Sequence, residues 1–194
     1  MKKLIFGYGA TGKSVESYFQ KNKIEYLIHD DKKLDIENHL IFDKKKFNEI
    51  DEVVISPGIK PSHPLVSEIN SQGLTINTDI DLFNKVYKGK IIGVTGTNGK
   101  TTFVNLLTEY LNSHQIKSIA VGNVGKSPLE IVGEDYEYVV MELSSFQLYY
   151  LNNLILFKAI VLNIFEDHLD WHSDFEDYSN SKLKILKFIT NNEN

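Results

Sequence analysis

The run Gly93-Val94-Thr95-Gly96-Thr97-Asn98-Gly99-Lys100-Thr101-Thr102 carries the clearest chemistry in the chain. The apolar segment Lys90-Ile91-Ile92 precedes it, and Phe103-Val104-Asn105-Leu106-Leu107 follows with apolar residues at helical spacing. A strand, a glycine-rich turn and a helix N-terminus in that order form a phosphate cradle. Backbone N–H groups converge on the anion, the helix dipole favours it, and glycines let the main chain approach. Lys100 would reach the terminal phosphates and the Thr101 hydroxyl would sit on a magnesium ion. The spacing departs from the standard P-loop, because Val94 stands where its first glycine falls. A glycine-rich turn with an incidental lysine is the alternative, and the strand and helix on either side argue against it.

Three further groups could do chemistry. Glu142 closes the apolar run Tyr138-Val139-Val140-Met141. A carboxylate at the C-terminal end of a parallel strand beside a P-loop strand can hold the magnesium of a nucleotide, or else cap the next helix. Asn163-Ile164-Phe165-Glu166-Asp167-His168-Leu169-Asp170-Trp171-His172 follows another strand and is dense in acids and histidines. His168 there could ligate a metal or orient a carboxylate, and a solvated loop histidine is the plain alternative. Asn123, within Gly122-Asn123-Val124-Gly125, is either a side-chain donor to an anion or a turn residue. Near the N-terminus, Gly7-x-Gly9-x-x-Gly12 lies between a strand and a helix, with Asp30 about 20 residues on, where a ribose-binding acid belongs. Taken alone, that pattern predicts a nicotinamide-binding Rossmann domain.

The elements that must position these groups alternate between strand and helix, which implies parallel sheets with right-handed crossovers. Strands are expected at Lys3–Phe6, Tyr26–Ile28, Val53–Ile55 and Leu74–Ile76, with helices from Ser14 to Lys21 and from Leu65 to Asn70. Tyr87-Lys88-Gly89-Lys90 reads as a linker. Beyond it, strands are expected at 118–121, 138–142 and 159–163, and a helix over 175–189. Lys44-Lys45-Lys46 reads as a solvated surface run.

A chain of 194 residues, 42% of them apolar, has room for one domain, or two small ones, with a sizeable core. No apolar run approaches the ~20 residues of a membrane span, and Gly7 ends the short N-terminal run too soon for a signal peptide. The absence of cysteine removes disulfides, thiolate metal sites and cysteine nucleophiles. A cytoplasmic protein without a membrane partner is the expectation. A net charge of −5 argues against a nucleic-acid partner. Every basic residue is lysine, so phosphates here meet lysine, backbone or hydroxyl groups and never a bidentate guanidinium.

Gly96-Thr97-Asn98-Gly99-Lys100-Thr101-Thr102, Glu142-Leu143-Ser144-Ser145-Phe146-Gln147-Leu148 and Asn163 with Asp167-His168-Leu169-Asp170, in that order, resemble the Mur ligase family of ATP-dependent amide-forming enzymes. Ser56-Pro57-Gly58-Ile59 and Asp79-Ile80-Asp81-Leu82-Phe83 fit the first domain of the same enzymes. The resemblance covers the whole chain. It implies a Rossmann-like parallel-sheet domain over 1–88, followed over 89–194 by part of a P-loop α/β ATPase-type central domain. Within the family, the segment around Glu142 is similar to the branch that adds D-glutamate to UDP-N-acetylmuramoyl-L-alanine in peptidoglycan precursor synthesis.

The resemblance also implies roles. Ala10, Thr11, Asp30, Asp31, Lys32, Ser56 and Gly58 would hold the uridine diphosphate, while Asn123, Ser144, Gln147 and His168 would face its diphosphate and sugar. The chain departs from the family pattern at Asp31 and Lys32, where a hydroxyl residue and an arginine are familiar. Gly96 to Thr102 would cradle ATP. Thr101, Glu142, His168 and Lys182 would hold Mg2+, Lys182 as a carbamate formed with carbon dioxide. That reaction requires a neutral, partly desolvated amine; an exposed helix lysine is what Lys182 would be without the resemblance. Lys100, Glu142, His168 and Lys182 would be catalytic. The partners implied are UDP-N-acetylmuramoyl-L-alanine, D-glutamate and ATP, acting on a monomer. The family has a longer central domain and a third domain, so the chain to Asn194 is expected to lack the adenine and D-glutamate contacts and to be inactive alone. Two other functions stay open: an NAD-dependent oxidoreductase, and a nucleotide-sugar binding module without catalysis.

Overall fold

The computed structural model describes residues 1–123 and 125–190. Val124 and the last four positions of the expected second domain lie outside the described residues. Two four-stranded sheets follow one another along the chain. The first contains β1 (Lys2–Phe6), β2 (Tyr26–His29), β3 (Ile50–Ile55) and β4 (Thr75–Asn77) in the order β2-β1-β3-β4. The second contains β5 (Lys90–Thr95), β6 (Ser118–Gly122), β7 (Tyr138–Glu142) and β8 (Lys158–Val161) in the order β6-β7-β5-β8. Every named pairing is parallel. Parallel strands are covered on both faces, so they read as unbroken apolar runs rather than alternating ones, as Leu4-Ile5-Phe6 and Val139-Val140-Met141 show.

Helices supply that cover. Ile5, Ile28 and Val54 share a cluster with Val15 and Phe19 of α1 (Ala10–Lys21) and with Ile80 and Phe83 of α3 (Asp79–Val86). On the opposite pleat, Leu4, Phe6, Leu27 and Val53 pack on Leu65, Val66 and Ile69 of α2 (Pro64–Ser71). In the second sheet Ile92, Val94 and Val140 meet Val104 of α4 (Lys100–Ser113). The cluster under α1 and α3 continues into Ile91, Val121, Val139 and Met141, so one apolar body joins both sheets. Gly12 opens this arrangement. A Cβ there would lie 2.2 Å from the Gly7 carbonyl oxygen, so only glycine lets α1 start so close to β1. Among the described residues no helix is long and apolar enough to cross a membrane.

The expected strands are present, with several boundaries shifted. Lys90, read as linker, begins β5. The strand expected over 159–163 ends at Val161, because Asn163 turns away to bind the P-loop backbone. The helix expected to reach Ile189 stops as α6 (Phe175–Leu183) and continues as a 3-10 turn, Lys184–Phe188. There the chain lifts to pair beside Leu156, with Leu156 N–H donating to Phe188 and Thr190 N–H to Leu156. Two short helices escape the apolar periodicity, α3 and α5 (Ser145–Tyr150). Each is opened instead by a capping box, Thr78 with Asp81 and Ser144 with Gln147. The Lys44-Lys45-Lys46 run is exposed or half-buried in a 3-10 turn, with Lys44 paired to Glu68.

Asp79, at the head of α3, is buried, and its Oδ1 has no partner. Burial raises its pKa from 3.8 to about 6, against the opposing N–H groups of Ile80 and Asp79. As pH rises the unfolded chain gives up this proton first. Stability is therefore full below pH 4 and is lost between about pH 4 and 6. Asp79→Asn should raise the unfolding free energy by roughly 1–3 kcal/mol at pH 8 and change it little at pH 3.5, as read by urea denaturation.

Candidate functional site

The β5–α4 turn forms as its glycines dictate. Gly99 is the N-cap of α4 with φ +81, a left-handed conformation that side chains disfavour. The first α4 backbone bond of this turn runs from Phe103 N–H to Gly99 O, so the N–H groups of Lys100, Thr101 and Thr102 stand ahead of it at the positive end of the helix. Two amides of the loop are already used. Thr97 and Asn98 both donate to Asn163 Oδ1, at 3.1 and 3.0 Å, and Asn163 Nδ2 returns a bond to Asn98 O. Asn163 thus fastens the front of the loop, and the free part of the cradle is the helix head.

Two lysines converge behind it. Lys100 Nζ folds back to donate to Gly96 O and Thr97 O at 2.8 and 2.9 Å. Lys182, on α6, is 2% exposed, donates to the same Gly96 O at 2.8 Å and lies over the Tyr178 ring. Burial, helped by the Lys100 charge, lowers its pKa to about 8 although Asp167 and Glu142 oppose the shift. Tyr178 locks α6 to the loop through a bond between its hydroxyl and Thr97 Oγ1.

Glu142 is 1% exposed, and its carboxylate accepts from Thr101 Oγ1 at 2.9 Å and Asn123 Nδ2 at 3.0 Å. Both donors are neutral, and among the described residues no lysine pairs with it. A buried carboxylate with only neutral donors beside a threonine hydroxyl is a hard oxygen set suited to magnesium. His168 is exposed in a left-handed conformation with φ +54 and packs against Phe146 and Tyr178. It joins Lys182 through the Tyr178 ring rather than by a bond. Among the described residues no three His, Cys, Asp or Glu side chains are grouped for a metal. The set singled out from the sequence is a mixed one of threonine, glutamate, histidine and lysine.

The first sheet presents its own loops at the C-terminal ends of β1, β2 and β3, where α/β sheets bind ligands. Ala10 and Thr11 begin α1. Asp30 accepts from Tyr8 N–H at 2.7 Å and Lys32 N–H at 2.9 Å, so it ties the glycine turn to the next loop. Burial alone would raise its pKa, and those two donors bring it below the usual value. Ser56 Oγ donates to Gly7 O and ties the third turn, with Gly58, to the first. Asp31 faces His63 Nε2 at 3.1 Å and His29 Nε2 at 3.6 Å. It lines, with Asp30 and Lys32, a cavity of about 470 Å³. Ser144 and Gln147 use their side chains on one another, in the capping box of α5. The two groups of loops touch. Tyr150 Oη donates to Ile59 O at 3.0 Å and Lys60 Nζ to Asp170 O at 2.6 Å.

Sequence reasoning missed His172. Its ring is fully buried, and Nδ1 lies 2.9 Å from Asp177 on the first turn of α6. Trp171 N–H and His172 N–H both donate to His168 O, so this pair fixes the turn bearing His168 to the helix bearing Lys182. The only signal was a second histidine four positions after the first.

Fold and loops together define a two-sheet parallel α/β protein, with a P-loop-type turn on the second sheet and a Rossmann-like first sheet. Family comparison narrows the class. Residues 94–194 match the Mur ligase middle domain, and residues 1–78 match the Mur ligase MurD-like N-terminal domain. The chain belongs to the Mur ligase family. UDP-N-acetylmuramoylalanine–D-glutamate ligase of Thermotoga petrophila is 36% identical over 193 residues, covering 93% of this chain and 45% of that protein. The enzyme of that name from Helicobacter pylori is 38% identical over 197 residues, covering 97% and 46%. The chain therefore spans less than half the length of these relatives. Among solved structures, the UDP-N-acetylmuramate:L-alanyl-gamma-D-glutamyl-meso-diaminopimelate ligase of Neisseria meningitides shares the fold. It has a TM-score of 0.59 and 19% identity, over 98% of this chain and 69% of that one.

The Lys182 environment gives a direct test. A carbon-13 titration of its Cε should show a midpoint near 8, below that of ordinary lysines. Lys100→Met should move the midpoint upward by removing the neighbouring cation.

Proposed function

We propose that this chain is the substrate-binding and phosphate-binding portion of a ligase that adds D-glutamate to UDP-N-acetylmuramoyl-L-alanine at the expense of ATP. Residues 1–88 form the uridine-side domain and residues 89–194 belong to the central ATP-binding domain. The observation that carries this reading is the buried Glu142 carboxylate accepting from Thr101 at the head of α4, beside the lysine-lined turn, on a chain whose relatives bear that name.

In the reaction, the alanine carboxylate of the substrate attacks the γ-phosphate of ATP, giving an acyl phosphate and releasing ADP. The amine of D-glutamate then displaces inorganic phosphate and gives up a proton as the amide forms. Little covalent work falls to the protein, so positioning and charge neutralisation dominate. The helix head of α4 and Lys100 hold the β- and γ-phosphates; Lys100 must leave Gly96 O to do so. Thr101 and Glu142 are the residues that would hold one magnesium, and His168 with carbamylated Lys182 a second. Magnesium there would offset repulsion between carboxylate and phosphate. Lys182 suits carbamate formation because its lowered pKa leaves a useful fraction neutral near pH 8. Ala10, Thr11, Asp30, Asp31, Lys32, Ser56 and Gly58 surround the uridine diphosphate, while Asn123, Ser144, Gln147 and His168 lie along the path to the P-loop. A monomer in the cytoplasm, contributing to peptidoglycan synthesis, is the setting this chemistry suits.

Thermal shifts with three ligands separate this reading from its rivals. UDP-N-acetylmuramoyl-L-alanine and ATP with magnesium should each stabilise the chain, and NAD should not. Lys100→Ala should weaken the ATP response at least tenfold, about 1.4 kcal/mol, and leave the UDP-sugar response intact. Stabilisation by NAD alone would point to an oxidoreductase. UDP-sugar binding with no ATP response would point to a binding module.

A further inference from the structure

One buried carboxylate does more than cap its own helix. Asp81, on α3, is 1% exposed and accepts four hydrogen bonds that come from two different parts of the molecule. Its Oδ2 takes Thr78 N–H at 2.8 Å and Thr78 Oγ1 at 2.7 Å, which closes the capping box of its own helix. Its Oδ1 takes Asn152 N–H at 3.0 Å and Asn153 N–H at 2.7 Å, and these belong to the loop after α5, in the second sheet's half of the chain. An N3 carboxylate needs only the first pair to cap a helix. The second pair bridges the two halves with charge-assisted bonds inside the protein, where they are stronger than at the surface.

The same loop is held further by the front half. Asn152 Nδ2 donates to Ile76 O at 2.6 Å, and Ile155 N–H donates to Asn84 Oδ1 at 3.0 Å. Helix α5 runs between this joint and the phosphate site. Its C-terminal end leads into Asn152, and its N-cap is Ser144, two residues after Glu142 at the end of β7. A six-residue helix capped at one end and clamped at the other is a short rigid rod. Asp81 holds the loop at its C-terminal end.

We propose that Asp81 is a positioning residue: through Asn152, Asn153 and α5 it fixes where Glu142 and Ser144 stand relative to the front-domain site. The role rests on the reading that one substrate reaches from the uridine side to the P-loop. It predicts that ligands confined to the front domain ignore Asp81, whereas a ligand spanning both halves depends on it.

The chain has no cysteine, so spin labels can be placed at Ser67→Cys on α2 and Glu109→Cys on α4, both exposed. Electron–electron resonance should give one narrow distance distribution in the otherwise native chain. Asp81→Ala should broaden it at least twofold. Thr78→Val is the matched control, since it removes the cap and leaves the bridge; it should keep the native width. In calorimetry, Asp81→Ala should bind UDP within twofold of the native chain and UDP-N-acetylmuramoyl-L-alanine at least tenfold more weakly. If Asp81→Ala fails to fold by circular dichroism, Asp81→Ser, too short to reach both partners, should give the same result. Equal widths and equal affinities in the Asp81 and Thr78 variants would overturn the proposal, as would a broad distribution in the native chain. Failure of the native chain to bind UDP-N-acetylmuramoyl-L-alanine, with the Asp81-dependent width intact, would instead overturn the substrate reading.

Discussion

The Gly96 carbonyl oxygen accepts from two ammonium groups at once, and the rest of the second half is arranged around that strain. Lys100 and Lys182 are each 2.8 Å from it, so the two cations stand no more than about 6 Å apart. At that separation their repulsion is roughly 3 kcal/mol for an effective dielectric of 20. Buried like charges persist only where something else supports them. Here the support is the turn itself, together with the field of Glu142 and Asp167. An anion at the head of α4 would relieve the crowding by drawing Lys100 outward. A neutral Lys182 would relieve it from the other side, and its pKa is lowered by burial first and by the Lys100 charge second.

Each surrounding contact holds this cluster in shape. Asn163 fastens the loop front, Tyr178 ties α6 to Thr97, and His172 with Asp177 ties the His168 turn to α6. None of these groups needs to touch a ligand to matter, because a displaced Gly96 would lose both lysines. On the front sheet Asp30 and Ser56 work similarly, closing the loops after β1, β2 and β3 onto one another. The two surfaces meet where Tyr150 reaches Ile59 and Lys60 reaches Asp170.

The parallel strands were legible because burial on both faces leaves apolar runs with little ambiguity, and the glycine turns were legible because close backbone approach admits no other residue. Lys182 was visible only through family resemblance, since one lysine among Lys184 and Lys187 on a polar helix carries no local mark of burial. The polar joints were not legible at all. Asp81 looks like an ordinary helix-capping acid, and nothing near it in sequence announces that its second oxygen serves residues about seventy positions on. Likewise α6 ends early because of a pairing with Leu156, a long-range demand that helical periodicity does not contain.

A crystal structure of the chain with magnesium and ADP would show whether the α4 head is a phosphate site. The β-phosphate should lie against the N–H groups of Lys100 to Thr102, with Lys100 Nζ turned away from Gly96 O and the metal beside Thr101 and Glu142. A β-phosphate bound elsewhere, with Lys100 still seated on Gly96 O, would contradict it.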